Sequence, residues 1–280
     1  MDIFTAGRDF VRLEGRLVEN RLFATVFDGA DPAGVVDALR GYQNADGGFG
    51  HGLEPDKRCP DSLGLDVETA FDILLAAGAR DEVMIRRAVD WLASVATPEG
   101  AVSLAAPVIE NYPRAEHMSE WTYEPSLNPT AGLVGRLHKL EVEHPWRELA
   151  GAWCAAQLTA DLPTEAHSLH ESLEFLEHTG DIDLDRVREW LPKVSYYRAD
   201  AADPSYGVTP LQFAPTPESP WRALFSEAQL EAHLDRLIAD QQADGGWAIT
   251  WEPPGQAATL EYRGIVTVGA LRTLKAYNRL

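Results

Sequence analysis

The sequence of 280 residues predicts an all-α protein in which helical hairpins close into a ring. Apolar residues recur at helical spacing in nearly every segment, and no segment shows the alternation of a β-strand. Amphipathic helices alternate with helices that are apolar nearly all round, at a period of roughly 40 to 60 residues, which is typical of stacked hairpins. The amphipathic helices are therefore predicted to surround about five to six inner helices.

The predicted helices follow one another along the whole chain. They begin where Asp, Ser, Asn or Pro precedes an apolar pattern, and several end just before a glycine. The apolar periodicity places them at residues 10–27, 31–42, 66–78, 82–95, 128–140, 145–158, 166–178, 183–194, 226–242 and 262–277. No shift in composition marks a boundary, so residues 1–280 are expected to form a single domain.

Two turns of the sequence nearly repeat each other. Residues 43–50 read QNADGGFG, and residues 241–248 read QQADGGWA. The glycines adopt positive φ without steric cost, and the aspartates are expected to accept hydrogen bonds from free turn amides. The glutamines, one helical turn earlier, are predicted to tie each turn to a neighbouring hairpin. We interpret the motif as a structural clamp.

The charge of the chain excludes several classes of partner. With 44 acidic and 24 basic side chains, the net charge of −20 repels nucleic acid and anionic lipid surfaces. Cys59 and Cys154 form no CxxC pair, so neither a disulfide framework nor a cysteine-rich zinc site is expected. Without a secretory signal or a long apolar run, the chain is expected to be cytoplasmic, with no membrane span and no cofactor. The oligomeric state stays open.

Three Glu-Pro pairs, each preceded by an apolar or aromatic residue, precede apolar helices. Their glutamates are Glu54, Glu124 and Glu252, and a closed ring places them at equivalent positions around one mouth. Convergent carboxylates bind a cation or raise one another's pKa; alternatively, each glutamate accepts hydrogen bonds from nearby amides. His51 and Asp56 flank Glu54 and make the first copy the most reactive.

Asp66 and Glu68 open a predicted inner helix, in the segment LDVETAFDILL. A carboxyl group in an apolar cavity has a raised pKa and acts as a general acid near neutral pH. Aromatic side chains stabilise a carbocation through cation–π attraction. The candidates for such a wall are Trp121, Tyr123, Trp251 and Tyr262. The competing interpretation of Asp66 and Glu68 is that they are first-turn acids favoured by the helix dipole.

The two clamp turns resemble the glutamine-tryptophan repeat of terpene cyclases and protein prenyltransferases. This resemblance implies an α/α toroid with a deep central cavity. Asp66, Glu68, Thr69 and Ala70 resemble the Asp-x-Asp-Asp-Thr-Ala motif of class II terpene cyclases, with one acid missing. The resemblance implies a terpene cyclase-like enzyme whose carboxylates cyclise or rearrange a hydrophobic, isoprenoid-like small molecule. The Asp-x-Cys zinc pair of the prenyltransferases has no counterpart, so no metal is expected.

Other functions stay open at this point. Carbohydrate-active α/α toroids also contain DGGW-type turns and paired carboxylates, and a toroid that has lost catalysis would be a ligand carrier. His167, His170 and Glu171 lie on neighbouring turns of one predicted helix, a spacing that suits either a divalent metal or a polar face.

Overall fold

The structure, a computed structural model, describes residues 2–179 and 183–280. These residues form twelve α-helices, with no β-strand among them. The helices are α1 Ile3–Glu14, α2 Leu17–Asp28, α3 Ala33–Leu39, α4 Gly64–Ala77, α5 Glu82–Val95, α6 Leu127–Lys139, α7 Pro145–Leu158, α8 Ala166–Leu176, α9 Leu184–Trp190, α10 Pro210–Phe213, α11 Glu227–Ala239 and α12 Gln256–Ala276. Four short 3₁₀-helices lie between them, at Pro107–Asn111, Glu116–Glu120, Leu191–Lys193 and Pro220–Leu224.

Odd-numbered helices form the outer layer and even-numbered helices form the inner ring. In the inner ring α2 packs on α4, α4 on α6 and α6 on α8, while α12 returns to pack on α2. The outer helix α1 also packs on α12, so the last hairpin meets the first. The predicted all-α toroid is confirmed, with a single short turn, α10, at one inner position.

Two predicted helices are wrong in their bounds: the last begins at Gln256 rather than at residue 262, and the first is two helices. Residues 10–27 form two antiparallel helices, because the chain leaves helical geometry at Gly15 and Arg16. The Arg16 amide and guanidinium both donate to the Glu19 carboxylate, which caps α2. The Arg16 guanidinium also donates to the carbonyls of Gly52 and Leu53, at 3.0 and 2.8 Å. A contact 36 residues away along the chain therefore stabilises this break.

The two repeated turns form the same clamp. Gln43 Nε2 donates to a carbonyl of its own turn and to Met84 O of α5, both at 2.9 Å. Gln241 Nε2 likewise donates to its own turn and to Ile3 O of α1, both at 2.9 Å. Each clamp thus joins one hairpin to the next outer helix, as the sequence predicted, and the second clamp closes the ring.

The glycines in these clamps are required by close backbone contacts. Gly47 and Gly245 have φ of 103° and 94°. A Cβ atom would lie 2.4 Å from Arg87 O in the first clamp and 2.2 Å from Ala6 O in the second. A side chain at either position would push the neighbouring outer helix away from the ring.

The inner ring leaves space along its axis. On α12, Glu261, Ile265, Gly269 and Arg272 are intermediate or exposed and lie on one helical face. A Cβ atom built on Gly269 meets no other atom within 4 Å. We call this axial space the lumen. None of the described helices combines the length and apolar character needed to cross a bilayer.

Candidate active site

The loop from residue 51 to residue 63, which leads into α4, carries two of the predicted acidic residues, Glu54 and Asp56. Glu54, Asp56 and Lys57 are all buried in it. A second loop covers this one, since Ala115 N donates to Asp56 O at 2.7 Å. The loop therefore lies at the N-terminal end of α4, between the Arg16 guanidinium on one side and the loop at residues 113–117 on the other.

Lys57 holds this loop to the start of α4. Its Nζ lies 3.0 Å from Glu54 Oε2 and 3.0 Å from Asp66 Oδ2, and its side chain is fully buried. The Glu54 amide donates to Asp66 Oδ1 at 2.9 Å. Burial opposes the charge on Lys57, but the charges of Asp66 and Glu54 raise its pKa on balance. Burial raises the pKa of Asp66 to about 6, so Asp66 is ionised at neutral pH and serves as an anchor.

Asp56 has a different environment. Its Oδ1 accepts a hydrogen bond from Trp251 Nε1 at 2.9 Å, and its Oδ2 lies 3.6 Å from His117 Nε2. Burial and then the charge of Glu54 raise the pKa of Asp56 to about 7. Lys57 lies 3.0 Å from Asp66, whereas no cation among the described residues lies that close to Asp56. At neutral pH a large fraction of Asp56 therefore carries a proton.

Three aromatic rings cluster on one side of the Asp56 carboxyl group, and Trp251 contacts it directly. Trp251 and Tyr262 meet edge to face with ring centroids 4.7 Å apart, and Tyr206 meets Trp251 edge to face at 5.6 Å. The Tyr206 hydroxyl lies 2.8 Å from His167 Nε2. Burial raises the pKa of Tyr206 to about 12, so the phenol is neutral. Two members of the predicted wall, Trp251 and Tyr262, thus lie beside Asp56.

Tyr206 and His117 were not predicted. Both lie in long proline-containing loops, and long loops often cover a binding face, but no local motif identifies either residue. Burial lowers the pKa of His117, so its imidazole is neutral at pH 7. Its side chain is 44% exposed, which places a neutral imidazole between Asp56 and solvent.

Glu68 belongs to a second cluster, centred on Arg136 of α6. Arg136 Nη1 lies 3.1 Å from Glu68 Oε1, 2.6 Å from Glu171 Oε2 and 2.8 Å from Glu174 Oε2. Asp72 accepts from Arg136 through both oxygens, at 2.6 and 3.1 Å. The cluster therefore joins the inner helices α4, α6 and α8 by charge.

The pKa values of Glu68 and Glu171 shift in opposite directions within this cluster. Burial and then the charge of Glu171 raise the pKa of Glu68 well above its usual value. Burial acts the same way on Glu171, but Arg136 outweighs it and lowers the pKa of Glu171. Glu68 Oε1 forms no hydrogen bond with any described residue, as its ion-pair geometry with Arg136 is misaligned. Within this pair Glu68 is therefore the weaker acid and Glu171 the stronger one.

Three predicted site residues lie elsewhere. His51 is exposed, with φ of 57°, and its Nε2 lies 2.8 Å from Asn44 Oδ1. Glu124 and Glu252 are exposed, whereas Glu54 is buried. The three glutamates were expected to be equivalent, but their surroundings differ. Only Glu54 is covered by a second loop and contacts a buried lysine.

Trp121 and Tyr123 pack on a small separate core beneath the loop at residues 96–126. The core residues are Cys59, Leu63, Ala105, Ile109, Ala115 and Met118. The Tyr123 hydroxyl donates to Glu110 Oε1 at 2.9 Å, and the Trp121 ring lies 5.8 Å from the His117 ring. Trp121 thus approaches Asp56 only through His117.

The histidines of α8 point to separate partners. His167 Nδ1 lies 2.6 Å from Glu165 Oε1, and His170 Nδ1 lies 3.2 Å from Glu171 Oε1. Residues 2–179 and 183–280 contain no group of three or more His, Cys, Asp or Glu side chains arranged to hold a metal ion.

A groove of about 650 Å³ borders the site. Trp251 lines it, together with Glu252 and the ion pair between Arg263 and Asp244. Trp251 therefore separates this groove from Asp56, and the exposed Glu252 belongs to the groove.

No protein-family model and no curated protein matches the sequence. Among solved structures, a protein from Actinoplanes matches with a TM-score of 0.60 and 18% identity, over 97% of this chain and 99% of that chain.

Type II terpene cyclase MstE from Scytonema has the same fold. Without ligand it matches with a TM-score of 0.53 and 13% identity, over 99% of this chain and 98% of that chain. A variant of MstE in complex with its substrate, geranylgeranyl dihydroxybenzoate, matches with a TM-score of 0.56 and 12% identity, covering 98% and 97% of the two chains. These similarities establish a terpene cyclase-like fold over nearly the whole chain.

Proposed function

We propose that this chain is a terpene cyclase-like enzyme in which Asp56 protonates an alkene of an isoprenoid-like substrate. The observation that carries the proposal is the environment of Asp56, a buried carboxyl group with a pKa of about 7 beside three aromatic rings. A general acid works best when its pKa lies near the operating pH. The shared toroid fold supports the same class of reaction.

The proton transfer needs no further reactant. The O–H bond of Asp56 breaks while the π electron pair of the alkene forms a new C–H bond, which leaves a cation on the neighbouring carbon. The faces of Trp251, Tyr262 and Tyr206 attract such a cation. A later alkene attacks it to close a ring, and loss of one proton to a base completes an isomerisation. The Trp251 indole N–H then stabilises the Asp56 carboxylate by donating a hydrogen bond to its Oδ1 atom.

The surrounding charges position Asp56. Lys57 balances part of the charge of Glu54 and Asp66, so the loop keeps its shape with two further carboxylates nearby. His117, neutral and part exposed, returns a proton from solvent to Asp56 after each turnover. Glu54 and Asp66 are thus positioning residues in this proposal.

Glu68 is the competing proton donor, since burial also raises its pKa well above the usual value. However, the Arg136 guanidinium lies 3.1 Å from it, and a positive charge repels a developing carbocation. Asp66 is excluded as the donor in our proposal by its ion pair with Lys57 and its complete burial.

A carbohydrate-active enzyme is the second candidate function. The charged groups of the inner ring favour it, because the Asp72 carboxylate, which is 52% exposed, offers a polar group that suits hydroxylated substrates. The choice of substrate in the test therefore covers both classes.

The test compares wild type with Asp56→Asn, Glu68→Gln and Asp37→Asn. The last replaces an exposed carboxylate of the outer helix α3 and serves as the matched control. Each protein is incubated in D₂O with geranylgeranyl dihydroxybenzoate and, separately, with a panel of oligosaccharides, and isomeric or cleaved products are followed by mass spectrometry. We expect Asp56→Asn to lower the rate by about 10² to 10⁴-fold, with Asp37→Asn unchanged. Each wild-type product should carry one new deuterium.

The pH dependence follows from the same assignment. The raised pKa means that Asp56 is protonated below about pH 7 and loses its proton as the pH rises through this value. The wild-type rate should therefore be highest at acidic pH and fall through about pH 7. If Glu68→Gln is inactive while Asp56→Asn keeps full turnover, the proton donor is Glu68 and not Asp56. Cleavage of oligosaccharides without any isoprenoid turnover would support the second candidate.

A further inference from the structure

Arg272 lies on the face of α12 that borders the lumen. Glu261, Ile265, Gly269 and Arg272 follow one another at spacings of three or four residues, which places them along one stripe. The opposite side of α12 packs outward, where Leu271 lies against the backbone of α1. The stripe with Arg272 therefore faces the axis of the ring.

No described residue pairs with Arg272. Its side chain is exposed to the lumen and forms neither a hydrogen bond nor an ion pair with the described part of the chain. Burial lowers its pKa, and the charge of Asp72 on α4 opposes this effect without restoring the usual value. Asp72 itself gives both of its oxygens to Arg136. All the guanidinium donors of Arg272 thus stay available to a ligand.

A guanidinium group in this position matches a particular ligand chemistry. Its planar fork binds a carboxylate or phosphate through two parallel hydrogen bonds, and the interaction strengthens where water is displaced. Gly269, one turn earlier, leaves room for the chain of such a ligand, since a Cβ atom there would meet nothing within 4 Å.

The distance along α12 sets the length of this ligand. Tyr262, beside Asp56, and Arg272 are ten residues apart, which corresponds to about 15 Å of helix. We propose that the lumen binds an amphiphilic anion, with its acidic head group on Arg272 and an apolar chain of about 15 Å reaching the aromatic rings. Only the placement of the chain end at Asp56 rests on the proposed function.

Isothermal titration with saturated probes tests this site independently of catalysis. Dodecanoate and dodecan-1-ol share an apolar chain and differ in charge. We expect wild type to bind dodecanoate at least about tenfold more tightly than the alcohol, as charge-assisted hydrogen bonds imply. Arg272→Met should remove this preference and leave alcohol binding unchanged. Arg86→Met removes an exposed charge on the outer helix α5 and should leave the preference for dodecanoate unchanged.

A second variant locates the probe in the lumen. Gly269→Leu fills the space beside Arg272 without changing any charge, so we expect it to weaken both probes, while circular dichroism and the melting temperature verify the fold. Neither probe contains an alkene, so binding does not depend on proton transfer from Asp56, and failure of cyclisation leaves this test intact. Equal affinities of wild type for the two probes, absence of binding, or a preference that survives Arg272→Met would overturn the proposal.

Discussion

Lys57 and Trp251 give two buried carboxyl groups different protonation behaviour. Asp66 faces Lys57 and is ionised, although burial raises its pKa to about 6. Asp56 faces the Trp251 indole, a neutral donor, and its pKa rises to about 7. Similar burial therefore leads to different chemistry, because the charge of the nearest donor differs.

Lys57→Met tests the structural part of this arrangement. The variant leaves Glu54 and Asp66 buried without their cation, and breaking a buried ion pair costs about 3 to 5 kcal/mol. We expect a loss of that size in the free energy of unfolding, measured by urea denaturation. Arg86→Met, which removes a charge that is 61% exposed, should change it by less than about 0.5 kcal/mol.

A companion variant separates charge from packing. Lys57→Met combined with Asp66→Asn removes one of the two unpaired carboxylates, so part of the lost stability should return. If Lys57→Met costs under about 1 kcal/mol, or if the double variant is the less stable of the two, the buried lysine does not hold the loop in the way described.

At the scale of elements, α6 and α8 form the closest helix pair. Their contact depends on two glycines of α6, since a Cβ atom on Gly135 would lie 2.8 Å from Glu174 O, and Gly132 lies directly beneath the Glu171 carboxylate. The helix backbones approach each other there without side chains between them. This approach brings Glu171 and Glu174 within reach of Arg136.

Gly135→Ala and Gly151→Ala should change stability in opposite directions. At Gly135 the new methyl group meets the backbone of α8, and overpacking costs about 1 to 3 kcal/mol. At Gly151, within α7, the nearest atoms lie 3.7 Å or more away, so the better helix propensity of alanine should add about 0.5 to 1 kcal/mol. Urea denaturation of both variants measures the difference. Equal effects would mean that α6 and α8 are not in close backbone contact.

These elements also show what the sequence alone can predict. The clamps were predictable because every interaction within the turn is local, and the glutamine, aspartate and glycines stand at fixed spacing. The break at Gly15 was not predictable, since Arg16 is stabilised by carbonyls of residues 52 and 53.

The candidate site was predictable only in part, for the same reason. Asp56, Trp251 and Tyr262 were identified from short motifs, but their contact spans 195 residues of sequence between the indole and the carboxyl group. Tyr206 and His117 reach Asp56 from loops that carry no recognisable pattern. The burial of Lys57 was not predicted, because it follows from two loops that pack over this residue.

At the scale of the whole molecule, closure distinguishes this ring from an open helical solenoid. The second clamp joins Gln241 to Ile3, and Lys275 Nζ near the end of α12 donates to Val26 O of α2 at 2.7 Å. The first and last helical hairpins of the chain therefore pack against each other. An open array exposes its terminal repeats, which unfold separately from the rest, whereas a closed ring has no terminal repeat.

We therefore expect unfolding in urea to be one cooperative transition, although the chain is longer than most two-state domains. Tryptophan fluorescence and far-ultraviolet circular dichroism should give coincident curves with one midpoint. Gly245→Val, whose side chain would clash with Ala6 O, should open the ring at its clamp, lower the midpoint and separate the two curves as the terminal hairpins unfold first. Asp37→Asn, on the outer surface, should leave one transition. Two resolved transitions in wild type would mean that the contacts between α1, α2 and α12 do not join the ring into one unit.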